Sequence, residues 1–162
     1  MIRTAVPGDE SELARLHVAA WRETYRGILP DAVLDALDED ERRDLWRRAV
    51  GQGSTRIFLF PGAGFAQSGP QRYDDMAADW PGELWSIYLL RSAQGRRLGR
   101  ALFDAVRPQT PFATCVFAAN GPACAFYRRL GGRHLRTTVE DVHGVPLAEH
   151  VYGFPAPLTR RI

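Results

Sequence analysis

The sequence has no long apolar segment and few cysteines. None of its 162 residues belong to an uncharged apolar stretch of about 20 residues, the length that a membrane-spanning helix needs. Its two cysteines, Cys115 and Cys124, do not form a C-x-x-C pair, so we expect two small, reduced, buried side chains. The sequence therefore predicts neither a membrane partner nor a redox motif.

Metal-ligand patterns and a secretion signal are also missing. Four histidines are present without the spacing of zinc ligands: His17, His134, His143 and His150. The start of the chain, 1–7, lacks the apolar run of a signal peptide. We therefore expect a cytoplasmic protein that binds no metal.

The net charge is small. Its formal value is +2 at pH 7, which by itself gives no reason to expect nucleic-acid binding. Arginines are nevertheless clustered in two short stretches, 91–100 and 128–136. Because these clusters lack interleaved aromatic residues, we expect no nucleic-acid partner. Each cluster needs either solvent or another anionic ligand.

The composition is that of one folded domain. Hydrophobic residues make up 45% and charged residues 25% of the chain, as in globular proteins, and the length suits a single domain spanning 1–162. Apolar spacing and turn residues predict both helices and strands. Asp9 with Glu12 predicts a capping box. The predicted helices lie at 9–21, 31–50, 98–106 and 122–130, and the predicted strands at 2–6, 57–60, 64–68, 83–90, 113–118, 134–139 and 147–154.

The segment after the predicted strand 83–90 combines glycine, arginine and the start of a helix. The first turn of a helix leaves backbone N–H groups unpaired, and these groups favour an anion. Glycine lets a phosphate approach the backbone, and arginine adds charge-assisted hydrogen bonds. The pattern predicts phosphate binding, although a tight turn on a solvated helix would have the same sequence. Its residues are Gln94, Gly95, Arg96, Arg97, Leu98, Gly99 and Arg100.

Two common phosphate motifs are excluded for this segment. The G-K-[ST] ending of a Walker loop is absent. A dinucleotide fingerprint would follow the first strand of a repeating strand–helix–strand unit. Here the loop lies past the middle of the chain, after two predicted helices and a hairpin.

At this point the chain resembles the bacterial branch of the GCN5-related N-acetyltransferase (GNAT) family. The coenzyme A loop of that family reads [QR]-x-x-G-x-[GA], and Gln94 and Gly99 match it. Arg97 stands where the family usually has glycine. The resemblance covers nearly the whole chain, in segments 17–27, 64–66, 83–85, 120–131 and 149–154.

The resemblance implies a fold and a reaction. The fold is α/β (α+β), with a mixed central sheet of about six to seven strands, helices on both faces and a splayed central strand pair. The reaction moves an acetyl group from acetyl-CoA to the primary amine of a small molecule or protein, by direct attack in a ternary complex. A non-catalytic acyl-CoA sensor on the same fold is the alternative, and the resemblance also allows a homodimer.

The resemblance further implies which residues bind the cofactor. Coenzyme A would lie along the strand residues Ile87, Tyr88 and Leu89 and the loop 94–100. The Ile87 N–H would donate to the thioester oxygen. Asn120 would contact the cofactor arm.

The chemistry also needs proton transfers. An alkylammonium is not nucleophilic, because its pKa is about 10.4, and the departing thiolate needs a proton. The resemblance implies Tyr127 as the acid and Glu83 as the base. Glu149 is an alternative carboxylate that could face the same cleft, and water alone is a third option.

The acceptor side of the site follows from the same resemblance. Trp21, Arg22 and Tyr25 precede the second predicted helix, where acceptors usually enter in that family. A helix end packed on the sheet would use the same large side chains. The sequence does not name the acceptor.

Overall fold

The computed structural model describes residues 1–157. A short 3₁₀ turn lies at Arg91–Ala93. In this part of the chain, no helix is both long enough and apolar enough to cross a membrane. The helices are α1 (Glu10–Tyr25), α2 (Asp31–Asp35), α3 (Glu39–Gln52), α4 (Leu98–Val106) and α5 (Gly121–Arg129), and the strands are β1 (Arg3–Thr4), β2 (Arg56–Phe60), β3 (Gly64–Pro70), β4 (Gly82–Leu89), β5 (Phe112–Phe117), β6 (Arg133–Val142) and β7 (Val145–Phe154).

The strands form one mixed sheet in the order β1-β2-β3-β4-β5-β7-β6. The pair β4–β5 is parallel, whereas β1–β2, β2–β3, β5–β7 and β6–β7 are antiparallel. The predicted mixed sheet of six to seven strands is thus confirmed. Contacts divide the chain into a first unit, 1–68 with 86–106, and a second unit, which takes 69–85 and the residues from 107 onward. The boundary falls inside β4.

The first unit is built on β1–β3 and the second half of β4. Its core is buried between strand and helix residues, among them Leu13, Trp46, Leu59 and Phe65. Trp46 is only 2% exposed. Since α1 and α3 supply Leu13 and Trp46, these helices are held to the sheet by the apolar stripe that the sequence predicts.

The start of α1 differs from the predicted capping box. Asp9 occupies the N-cap position but makes no side-chain cap bond. Its carboxylate instead accepts from the Arg3 guanidinium at 2.7 Å and from the Val6 N–H at 2.8 Å. The Glu12 carboxylate accepts from the Gly62 N–H at 2.8 Å. The capping-box prediction was wrong because both carboxylates have partners outside the helix.

The second unit contains the first half of β4, then β5, β7 and β6. Its buried core includes Met76, Ala113 and Val151, and the rings of Phe112 and Phe154 stack at 4.9 Å. The parallel ladder between β4 and β5 is registered at two pairs, Gly82–Phe112 and Glu83–Ala113. At the next residue, the Leu84 carbonyl accepts from the Thr114 hydroxyl at 3.0 Å.

Candidate functional site

The glycine–arginine loop of the first unit has an unusual backbone. Gly95 has φ 77° and Arg97 has φ 60°, both in the left-handed region. Glycine adopts this conformation freely, whereas an L-residue with a side chain is strained by about 1–2 kcal/mol. Strain of this kind is characteristic of functional segments. Position 97 therefore has the left-handed backbone that glycine adopts freely, although its residue is arginine.

The loop leads directly into the first turn of α4. The Ala101 N–H donates to the Arg97 carbonyl at 3.1 Å. The N–H groups of Leu98, Gly99 and Arg100 therefore precede this first helical bond, and they belong to the donors that a helix leaves for an anion. The side chains of Arg96 and Arg97 are exposed. This arrangement fits a phosphate group.

Hydrogen bonds tie the loop to its own unit. The Gln94 side-chain amide donates to the Leu89 carbonyl at the end of β4, at 3.2 Å. In the turn before it, the Arg91 N–H donates to the Glu23 carboxylate at 2.6 Å, and the Arg91 guanidinium donates to the Glu23 carbonyl at 2.9 Å. Glu23 could not be predicted as a loop partner, because no motif distinguishes it from other charged residues of α1.

The second half of β4 lies close to β3. A side chain at Gly64 would collide with the Tyr88 carbonyl, and its Cβ would lie 2.7 Å from the Leu89 side chain. Glycine is thus required there for the close approach of the two strands. Ile87, Tyr88 and Leu89 are themselves half-buried. The three predicted cofactor residues of β4 therefore lie on a strand that is fixed by β3.

An aromatic cluster connects α1 with β4, and we call it the α1 aromatic cluster. The Tyr25 and Tyr88 hydroxyls are hydrogen-bonded at 3.0 Å, and the Trp21 and Tyr25 rings meet edge to face at 5.0 Å. Two predicted acceptor residues, Trp21 and Tyr25, thus lie beside a predicted cofactor residue, Tyr88. The cluster consists of His17, Trp21, Tyr25, Trp46, Phe65 and Tyr88.

Arg22 and His17 have clear physical environments in this unit. The Arg22 guanidinium donates to the Leu34 and Leu37 carbonyls at 3.0 and 3.1 Å, and so holds the end of α2. Burial, together with the positive charge of Arg42, lowers the pKa of His17 to about 3. His17 is therefore a neutral imidazole at physiological pH.

Glu83, the predicted base, is engaged in the second unit. Its carboxylate is 1% exposed and accepts from the Arg72 guanidinium at 2.5 and 3.1 Å and from the Arg72 N–H at 3.0 Å. The same guanidinium lies 4.4 Å from the centre of the Trp85 ring. Arg72 could not be predicted as a partner of Glu83, because it lies in a loop without periodicity.

Glu149, the alternative carboxylate, has a different environment on β7. It is half-buried, and in residues 1–157 its Oε2 atom has no hydrogen-bond partner. Burial, with the nearby Glu140 charge, raises the pKa of Glu149. Burial also raises the pKa of Cys115 to about 12, and the Glu149 charge adds to that effect. Glu149 is thus a carboxylate that is available to a donor.

Tyr127 and Asn120, both predicted site residues, belong to α5. Tyr127 is 7% exposed, and its ring lies 6.5 Å from that of Tyr152 and 6.4 Å from that of Phe154. The Asn120 side chain accepts from the Ala123 N–H at 3.3 Å and caps the helix. The cap fixes the start of α5, which carries Tyr127.

Comparisons with known proteins identify the family of this chain. The family model described as the acetyltransferase (GNAT) family matches residues 12–132. The chain is 31% identical to the uncharacterized N-acetyltransferase YuaI of Bacillus subtilis (strain 168), over 95% of this chain and 92% of that protein. The chain therefore belongs to the acetyltransferase (GNAT) family.

Solved structures share the fold. The ribosomal-protein-alanine N-acetyltransferase of Brucella melitensis superposes with a TM-score of 0.73 at 20% identity, covering 96% of this chain and 99% of that one. YncA of Salmonella typhimurium, solved with its cofactor acetyl-CoA, superposes with a TM-score of 0.70 at 17% identity, covering 100% of this chain and 96% of that one.

These findings confirm the predicted class of enzyme. The protein is an acetyl-CoA-dependent N-acetyltransferase that acts on an amine acceptor, so the catalytic interpretation holds over the sensor alternative. Within residues 1–157, no group of three or more His, Cys, Asp or Glu side chains could hold a metal ion. The roles of individual site residues stay predictions.

Proposed function

We propose that the loop 94–100 holds the pyrophosphate of acetyl-CoA and that β4 aligns its thioester arm. The observation that carries this proposal is the left-handed backbone of Arg97 directly before the free N–H groups of α4. Such a backbone turns successive N–H groups toward an anion. Arg96 and Arg97 add positive charge, and Arg100 adds a guanidinium that is paired with Asp104 at 2.7 Å. The N–H of Ile87 is the proposed donor to the thioester oxygen.

The proposed reaction is direct transfer. The neutral amine attacks the thioester carbonyl carbon, a C–N bond forms, and the C–S bond breaks. A base removes the ammonium proton before this attack. The Tyr127 hydroxyl gives a proton to the departing thiolate and regains one from the nitrogen as the amide forms. Asn120 uses its Oδ1 to cap α5, so its amide nitrogen is the proposed donor to the cofactor arm.

Two carboxylates are candidates for the base, with water alone as a third option. Both Glu83 oxygens already accept hydrogen bonds from Arg72. Glu149 has a half-buried carboxylate with an unpartnered oxygen, and burial raises its pKa, which makes it a stronger base than an exposed carboxylate. These contacts favour Glu149 for binding and deprotonating the amine, and Glu83 remains the alternative.

The acceptor is proposed to enter beside the α1 aromatic cluster, at Trp21 and Tyr25. Arg22 supports this side by holding the end of α2. The acceptor is a small-molecule or peptide amine in this proposal. The cytoplasmic location and the homodimer that the sequence allows stay predictions.

The test is the release of coenzyme A thiol in the presence of a panel of primary amines, followed from pH 6 to 10. If Glu149 is the base, Glu149→Gln lowers the rate most at low pH, and the rate recovers as neutral amine becomes abundant. If the pH dependence of the rate is unchanged in Glu149→Gln and altered in Glu83→Gln, the base is Glu83. Normal profiles for both variants would leave deprotonation to water.

A further inference from the structure

Buried side-chain nitrogens without partners are concentrated in one place in the first unit. Four side-chain nitrogens there are buried and lack a hydrogen-bond partner within residues 1–157. They are Nδ1 of His17, Nε1 of Trp21, Nε of Arg42 and Nε1 of Trp46. Buried polar groups in native proteins are rarely left without a partner. Four such nitrogens together indicate that a group with hydrogen-bonding atoms binds beside them.

The four side chains are neighbours. The His17 ring lies 5.4 Å from that of Trp21 and 5.8 Å from that of Trp46. The Arg42 guanidinium carbon lies 5.9 Å from the centre of the Trp21 ring. The positive charge of Arg42 also helps to lower the pKa of His17. The side chains that carry the unpartnered nitrogens are therefore adjacent to one another.

The chemistry of the cluster selects an anion. Indole and guanidinium nitrogens only donate hydrogen bonds, and Arg42 carries a permanent positive charge. In the described part of the chain Arg42 forms no ion pair, whereas its neighbour Arg43 pairs with Asp40 at 2.9 Å. A carboxylate offers two oxygens with about four lone-pair sites to such donors.

The position of the four side chains indicates that the carboxylate belongs to the amine substrate. His17 stacks with Tyr88 of β4 at 6.0 Å, and Trp21 packs against Tyr25. The cluster therefore belongs to the proposed acceptor side, while the phosphates of the cofactor are proposed to bind at loop 94–100.

We propose that His17, Trp21, Arg42 and Trp46 form a carboxylate-binding subsite, so that the acceptor is a primary amine that also carries a carboxylate, such as a free amino acid. This inference rests on the proposed function, because it names the acceptor of that same site. A water molecule that satisfies the four nitrogens is the competing explanation. Only the carboxylate explanation predicts a change in substrate preference.

The experiment compares matched acceptors: phenylalanine with phenylalaninamide, and leucine with leucinamide. The rate of thiol release gives kcat/KM for each at saturating acetyl-CoA, and the acid-to-amide ratio is compared between variants, so that differences in amine pKa cancel. Arg42→Gln should lower this ratio about 10-fold to 100-fold, mainly through KM, because a charge-assisted bond is lost. Trp21→Phe, which removes the N–H and keeps an aromatic ring, should lower it less.

Arg43→Gln is the matched control, since it removes a neighbouring charge that is already paired with Asp40, and its ratio should equal that of the wild type. Binding of N-acetylphenylalanine and of its amide, read as a thermal shift, gives a second measurement that needs no turnover. The wild type should bind the acid more tightly, and Arg42→Gln should lose that difference.

An unchanged acid-to-amide ratio in Arg42→Gln, or a wild-type enzyme that accepts only the amides, would overturn the carboxylate subsite while the proposed transfer still stands. Absence of thiol release with every amine would instead contradict the proposed function. Chemical denaturation of Arg42→Gln shows whether a lost preference reflects unfolding.

Discussion

Arg72 binds the carboxylate of Glu83 in the second unit through several hydrogen bonds. The guanidinium and the backbone N–H of Arg72 all donate to it, at 2.5 to 3.1 Å. Glu83 is almost fully buried, and it attaches the loop after β3 to the start of β4. The contact gives Glu83 a structural task whether or not it also accepts a proton.

Replacing Glu83 by Gln should therefore cost stability. An amide cannot accept the same charge-assisted bonds, and hydrogen bonds to charged groups contribute about 1.5–3 kcal/mol. We expect the free energy of unfolding, measured in urea, to fall by about 2 kcal/mol. Glu149→Gln is the control and should change it by less than about 1 kcal/mol, because one of its oxygens has no partner. Equal stability of the two variants would show that the contact between Arg72 and Glu83 does not stabilise the fold.

Arg97→Gly should relieve backbone strain. The left-handed conformation at φ 60° costs an L-residue about 1–2 kcal/mol, whereas added chain entropy in the unfolded state offsets about 0.4–1 kcal/mol of the gain. Arg96→Gly removes the same charge without a left-handed backbone to relieve. Urea denaturation should show Arg97→Gly to be more stable than Arg96→Gly by about 1–2 kcal/mol. If the two variants are equally stable, position 97 is not strained.

His17 should make stability depend on pH. Its pKa is about 3 in the folded protein, and the value for an unburied histidine is 6.5. Between these two pH values the unfolded chain binds more protons than the folded protein. The free energy of unfolding therefore falls as the pH drops below 6.5. His17→Phe removes this contribution. From pH 6.5 to 5, the wild type should lose more stability than His17→Phe by over about 1 kcal/mol, and parallel curves would show that His17 is not a buried neutral group.

Tyr127→Phe removes one hydroxyl and should spare packing. If Tyr127 protonates the thiolate, kcat should fall by about 10²–10⁴, with little change in coenzyme A affinity. Tyr152→Phe is the matched control, because its ring stacks on Tyr127 and its hydroxyl contacts Arg128 at 3.4 Å. Its kcat should stay near that of the wild type. Full turnover by Tyr127→Phe would make Tyr127 a packing residue.

Much of the fold could be predicted from local patterns. The apolar stripe from Leu98 onward locates α4, and Asn120 with Pro122 locates the start of α5, because helix spacing and caps are encoded within a few residues. The strand 83–90 was placed to within one residue of β4. The loop 94–100, our proposed phosphate site, could also be located from the sequence, since its glycines and arginines lie within one short segment.

Contacts that join distant residues could not be predicted in this way. The bond of Arg72 to Glu83 and that of Arg91 to Glu23 depend on tertiary structure, and surface arginines give no signal of their partners. The same holds for Asp9, whose pairing with Arg3 replaced the expected cap. The unpartnered nitrogens around Arg42 likewise emerge only when α1 and α3 pack together.

The most direct test is a calorimetric titration of coenzyme A into the wild type and Gly99→Val at low and high salt. Gly99 lies in the first turn of α4, so a β-branched side chain there should block the phosphate from the N–H groups. The account predicts tight binding by the wild type that weakens with salt, and affinity at least about 10-fold lower in a normally folded Gly99→Val. Unchanged affinity in that variant would contradict the placement of the cofactor on loop 94–100.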